Sequence, residues 1–161
     1  MHLFCVNFQS SSCIDGWTYY NQSCYKYVSE FKHWNQSNVY CSSLHSSAQL
    51  VVITDVKERE FVISYIDNVT VGTLFMTPWV GATDFYGSEG DYQWVTGELW
   101  TWVIPDDWAD GEPSDVMNTF SMEDCISISM VPKSLSDSGK WYDQACTTLQ
   151  TFICEYNLNT G

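Results

Sequence analysis

The sequence predicts an α+β fold, with two helices near the N-terminus followed by antiparallel sheets and one long ordered loop. Three observations carry this. Apolar residues recur at helical spacing only before residue 70. Beyond it come short aliphatic and aromatic runs separated by Gly, Asp, Ser and Pro, which read as strands and turns. The stretch 96–124 is too long for an ordinary connection, yet it carries Trp100, Trp102 and Trp108. Disordered segments are poor in aromatics, so this loop is expected to fold around its tryptophans.

Taken in order, residues 1–12 form a short polar arm, 13–156 the folded domain and 157–161 a tail. Trp17 to Tyr20 and Tyr25 to Val28 flank Asn21-Gln22-Ser23 in a hairpin pattern. Phe31, Trp34, Asn38, Cys41 and Leu44 share a helical face, predicting a first helix over 32–45. Leu50 to Ile53 is a buried strand by its aliphatic run. Asp55 with Glu58 makes a capping box, and Phe61, Val62, Tyr65 and Ile66 give the second helix, ending near Asp67, its apolar face. Pro78 to Ala82, Tyr92 to Val95, Cys125 to Met130, Lys140 to Tyr142 and Thr151 to Cys154 are the later strands.

A formal charge of −14 argues against nucleic acid, whose phosphates need Lys and Arg, and against an anionic membrane surface. No apolar run is long enough to span a bilayer. Seven cysteines indicate disulfides and an oxidising compartment. The sequons at Asn21, Asn35 and Asn68 agree, so a secreted, extracellular glycoprotein is expected.

Between Arg59 and Lys133 there is no basic residue at all. Inside that gap, Trp108 to Cys125 gathers Asp110, Glu112, Asp115, Glu123 and Asp124. Two unscreened carboxylates 4 Å apart repel by roughly 4 kcal/mol at an effective dielectric near 20. Such crowding is tolerated when a cation fills the gap or when solvent separates the groups. Oxygen-only ligands on a flexible loop favour Ca2+ over zinc or copper.

These motifs resemble those of the C-type lectin domain family. Trp108 and Gly111-Glu112-Pro113-Ser114 stand for its Trp, Gly and Glu-Pro-Asn, and Glu123-Asp124-Cys125 for its Glu-Asp-Cys. Trp79-Val80-Gly81 matches its Trp-Ile-Gly strand and Trp141-Tyr142-Asp143 its Trp-Asn-Asp. The resemblance spans about Cys13 to Glu155. It implies the long form with three disulfides, pairing Cys13 with Cys24, Cys41 with Cys154 and Cys125 with Cys146, where the sequence by itself leaves many connectivities open. Cys5 is left over; an odd cysteine in a secreted protein suggests an interchain bridge, which would give a homodimer, or a free thiol.

The resemblance also implies a principal calcium site at Glu112, Ser114, Glu123 and Asp143, whose groups would bind sugar hydroxyls as well. Ser114 and Tyr142 depart from the family's two amides; a serine hydroxyl still offers one neutral oxygen, and a phenol is a poor calcium ligand. An auxiliary calcium site is implied at Asp84, Glu89, Asp115 and Asp124, with Glu89 one residue out of the usual register. A cis peptide before Pro113 is a further implication. Phe120 and Tyr142 flank the presumed site and would stack on a sugar. Expected, then, is a secreted calcium-dependent lectin recognising terminal sugars on glycoproteins or microbial surfaces. Glu-Pro-Ser belongs to neither the mannose-type nor the galactose-type pattern. The alternative is a lectin-like module that has lost sugar binding and recognises a protein or another surface, with calcium purely structural. An enzyme is not expected: His2, His33 and His45 lie far from the acidic cluster, and the pairs Glu112 with Glu123 and Asp106 with Asp107 come without a nucleophile motif.

Overall fold

The computed structural model describes residues 12–71, 76–88, 90–100, 107–114, 123–130 and 139–159. Cys5, Glu89, Trp102, Asp106, Asp115 and Phe120 lie outside these residues, as does His2.

The chain opens with a hairpin of β1 (Thr18–Tyr20) and β2 (Ser23–Lys32). Asn21 and Gln22 form its two-residue turn with φ of 42° and 69°. A positive φ at both central positions is the turn that matches strand twist, and Asn tolerates it best among residues with a side chain. Helix α1 (Trp34–Leu44) follows, then β3 (Gln49–Leu50) and helix α2 (Val56–Val69). The predicted capping box is half formed: the Asp55 carboxylate accepts the Glu58 N–H at 2.9 Å. The Glu58 side chain reaches instead to Thr54, accepting from its N–H at 2.8 Å and its hydroxyl at 3.0 Å.

The remaining strands are β4 (Trp79–Thr83), β5 (Gln93–Trp94), β6 (Cys125–Ile128), β7 (Trp141–Gln144) and β8 (Gln150–Asn157). Among the described residues they form one eight-stranded sheet in the order β1-β2-β8-β4-β6-β7, with β3 added to β8 and β5 to β4. The expected antiparallel sheets are corrected to a mixed sheet, because β4 runs parallel to β8 where Trp79 meets Phe152. Strand β8 extends to Asn157, and the Leu158 N–H bonds to Gln22 O at 2.8 Å.

Two sequence expectations are corrected. Phe31, assigned to the face of the first helix, sits near the end of β2 and is 63% exposed. Residues 51–53 are buried as expected, but only Gln49–Leu50 is regular strand. Val51 is wedged between two neighbours, donating to Ile153 O at 2.9 Å and accepting from the Gly81 N–H at 2.8 Å. This close approach explains Gly81, where a Cβ would meet Leu50 O at 2.9 Å.

The three disulfides are Cys13–Cys24, Cys41–Cys154 and Cys125–Cys146, as the family resemblance implied. Cys41–Cys154 closes 113 residues and ties α1 to β8, worth up to about 4–5 kcal/mol in the chain-entropy model. Tryptophans organise the rest. Trp94 stacks on Trp100 at 4.8 Å, Trp100 on Trp108 at 6.2 Å, and Trp141 meets Trp100 edge-on at 5.2 Å. The long loop is therefore anchored at both described ends to the sheet, as its aromatic content predicts.

One buried polar group escaped the sequence reading. The Tyr25 hydroxyl donates to Glu58 Oε1 at 2.6 Å, and Glu155 accepts the Val52 N–H at 3.0 Å nearby. Burial chiefly, with Glu58 beside it, pushes the Glu155 carboxyl up to about 7. Burial and the charges of Glu155 and Glu58 also push the Tyr25 phenol up.

A four-residue oxygen cluster in the long loop

The candidate site begins with a turn. Ala109 is buried and accepts the Glu112 N–H at 2.9 Å, closing Ala109–Glu112 around Gly111 at φ 85°. A left-handed φ at the third position of such a turn suits glycine. The turn is pinned to the sheet from the other side: Ala109 N–H bonds to Trp141 O at 3.1 Å and Trp141 N–H to Asp107 O at 2.8 Å. The Glu112–Pro113 peptide is cis, as the resemblance implied.

Ser114 is the hub. Its N–H donates to Asp143 Oδ1 at 3.1 Å and Glu112 Oε2 at 3.2 Å, and its hydroxyl donates to Glu123 Oε2 at 2.7 Å. Asp143 is 3% exposed and comes from β7, opposite Ile126 of β6; Glu123 precedes β6 by two residues. The Cys125–Cys146 disulfide braces the same two strands. All four expected principal ligands are thus brought together.

Their electrostatics fit a cation. Glu112 is pushed up to about 8, by burial first, then by its hydrogen bond with Asp143 and the charges of Asp143 and Glu123. Oxygen ligands of this kind are what Ca2+ takes, and a cation among them would reverse the shift. Among the described residues, no three His, Cys, Asp or Glu side chains stand ready-made as a closed ion cage.

The auxiliary pair is placed as well. Asp84 follows β4 and is 4% exposed; its Oδ2 accepts the Gly90 N–H at 2.8 Å. Asp124 lies beside it: the Asp84 N–H bonds to Asp124 O at 3.2 Å. Burial and then the Asp84 charge raise the Asp124 carboxyl above the usual range. Their expected partners, Glu89 and Asp115, and the stacking candidate Phe120 lie outside the described residues. Tyr142 alternates with Asp143 along β7, so it faces the other side of the strand, that of Ser127 and Gln144. Asp110, the fifth acid of the loop, is exposed on the turn.

Sequence reasoning missed Arg59. From α2 it pairs with Asp107 at 3.3 Å, donates to Gly139 O and lies 5.7 Å from the Trp141 ring centre. The signal was present: Arg59 is the last basic residue before the long acidic stretch.

This fold and loop define a class, and comparison with known proteins agrees. The lectin C-type domain model matches residues 30–156, and the chain belongs to that family. It is 31% identical over 146 residues to a lectin of Pleurodeles waltl, covering 89% of this chain and 76% of that one. Lectoxin-Lio3 of Erythrolamprus poecilogyrus, a C-type lectin, is 29% identical over 152 residues, covering 94% and 86%. Human asialoglycoprotein receptor 2 is 27% identical over 158 residues, and the chain spans only 43% of its length. Among solved structures, human lithostathine superposes with a TM-score of 0.72 at 26% identity, 91% of each chain being covered. The carbohydrate-recognition domain of cow CD23, solved in the presence of GlcNAc2Man3 oligosaccharide, gives 0.69 at 26% identity, with 91% and 96% covered. The family is non-enzymatic. Among the described residues no helix is long and apolar enough to cross a membrane.

Proposed function

We propose that this protein is a secreted lectin that binds terminal sugars of glycoproteins or microbial surfaces through a calcium ion held by Glu112, Ser114, Glu123 and Asp143. The observation that carries the reading is the convergence of three carboxylates on Ser114, where burial first and then Asp143 and Glu123 push Glu112 up to about 8. Calcium would supply a Lewis-acidic centre with open coordination positions for vicinal hydroxyls. The protein's part is orientation. Asp143 is fixed by β7, Glu123 by the start of β6, and Glu112 by the turn at Gly111. Their remaining lone pairs would accept the sugar O–H donors. Asp84 and Asp124, with Glu89 and Asp115, would hold an auxiliary ion that stiffens the loop.

That the cow CD23 domain was solved in the presence of an oligosaccharide supports the sugar part of the reading. Three sequons and three disulfides support an extracellular setting, in which Asn21, Asn35 and Asn68 are all exposed. Tyr142, turned away from Asp143, favours the second reading, a module that binds protein with calcium only structural. A glycan array in calcium, repeated in chelator, tests the choice. Spots that appear in calcium and vanish in chelator are expected. An array blank in both conditions would favour the protein-binding module.

A further inference from the structure

A cleft of about 350 Å3, whose lining includes none of Glu112, Ser114, Glu123 and Asp143, lies between the start of α1 and the loop after β4. Trp34, Asn35, Gln36, Phe85 and Tyr86 line it, with the Cys125–Cys146 disulfide at its floor. Its size is at the lower end of small-molecule sites, about 300–1,000 Å3. Phe85 and Tyr86 meet edge-to-face at 5.2 Å, yet they are 63% and 73% exposed. Single exposed apolar side chains are ordinary; two adjacent aromatics on the wall of a cleft mark a surface that something covers.

The chain carries its own occupant. Asn35 is the acceptor of the sequon Asn35-Gln36-Ser37, and it is exposed on the cleft wall. Its Oδ1 accepts the Gln36 N–H at 2.8 Å, while Nδ2, the atom that forms the glycosyl bond, has no hydrogen bond among the described residues. We infer that an N-glycan on Asn35 folds back into this cleft, its first N-acetylglucosamine units lying against Phe85 and Tyr86. The chemistry suits both partners. A pyranose presents a face of polarised C–H bonds and an acetamido methyl, which pack on the negative face of an aromatic ring. The Gln36 amide on the same wall matches the sugar hydroxyls. Tethering favours this occupant over a free sugar, because a short link holds it at an effective concentration in the millimolar range. The inference rests on the extracellular part of the proposed function and not on the calcium site.

The test uses the full chain made in a eukaryotic secretory host. Glycopeptide mass spectrometry measures occupancy at Asn21, Asn35 and Asn68, and native endoglycosidase digestion measures the release rate at each. Asn21, on the hairpin turn, is the internal reference. Asn35 is expected to be occupied and to release its glycan at least ten-fold more slowly than Asn21. In the Phe85→Ala/Tyr86→Ala double variant, whose thermal melt is checked alongside, the two rates should become equal. An unmodified Asn35 beside an occupied Asn21 would overturn the inference, as would equal rates in the unaltered protein. If none of the three sequons were modified, the extracellular reading itself would fail.

Discussion

The Ser114 hydroxyl donates to Glu123 Oε2 across 2.7 Å. One short side chain thus holds the two halves of the long loop together at the point where the carboxylates meet. Its proton is spent on Glu123, and its oxygen remains a neutral donor for a cation. Ser114→Ala removes both the tether and that oxygen. Calcium affinity is expected to fall by about 1–1.5 kcal/mol, the net value of one hydrogen bond. Ser114→Asn supplies a carbonyl oxygen on a longer arm and should raise it. Calorimetric titration of calcium into the two variants checks both directions; an unchanged affinity in Ser114→Ala would remove Ser114 from the ligand set.

The Glu112 carboxyl gives a pH signature whose sign depends on calcium. In the free protein it titrates near 8, above its unfolded value. Its stabilising contribution is therefore present at acid pH and lost as pH rises through about 8. With calcium bound, the carboxylate must be ionised and the trend reverses. Thermal melts in chelator should fall between pH 5 and 8.5, while melts in excess calcium should rise. Calcium binding at pH 7 should release on the order of one proton, measurable as a buffer-dependent heat. A binding heat independent of buffer would mean that Glu112 does not ligate.

Glu155 has a separate effect, to be measured in chelator. Burial raises it to about 7, so its contribution is full below about 4.5 and disappears as pH rises past 7. Glu155→Gln keeps an oxygen for the Val52 N–H but carries no charge. The variant should be more stable than the parent at pH 8, by on the order of 2–3 kcal/mol, and nearly equal at pH 4.5. A loss of stability at pH 8 would show that the ionised form is tolerated.

The fold was largely legible because its signals are local. The Asp55 cap, the apolar face through Val62 and Ile66, and the aromatic runs flanking Asn21 need only neighbouring residues. The site was legible through short motifs: Glu112, Ser114, Glu123 and Asp143 do meet, though they come from the long loop and from β7. What escaped depends on long-range pairing. Phe31 fits a helical period, but the hydrogen bonds of β2 to β8 claim that stretch as strand. Glu155 sits in an apolar strand; Tyr25 is brought opposite it by the pairing of β2 with β8, and Glu58 comes from α2, neither of which spacing reveals.

Arg59 offers a test of how the loop is supported. Arg59 and Asp107 side chains are 14% and 15% exposed, so losing the cation leaves a poorly solvated carboxylate. Arg59→Met should destabilise the protein by about 2–4 kcal/mol, somewhat below the cost of splitting a fully buried pair. Adding Asp107→Asn should recover part of that loss. A double-mutant cycle by chemical denaturation in chelator measures the coupling; purely additive effects would mean that the ion pair carries nothing.

The most direct test of calcium-mediated sugar binding is a calorimetric titration of an array-selected glycan into Asp143→Asn at saturating calcium, with Asp84→Asn as the folded control. Asp143 is in the proposed sugar-contacting set, and Asp84 in the proposed auxiliary pair. Asp143→Asn should show no binding heat, while Asp84→Asn should bind the glycan close to the parent's affinity once calcium saturates. Binding by Asp143→Asn at the parent's affinity would contradict a sugar site built on Glu112, Ser114, Glu123 and Asp143.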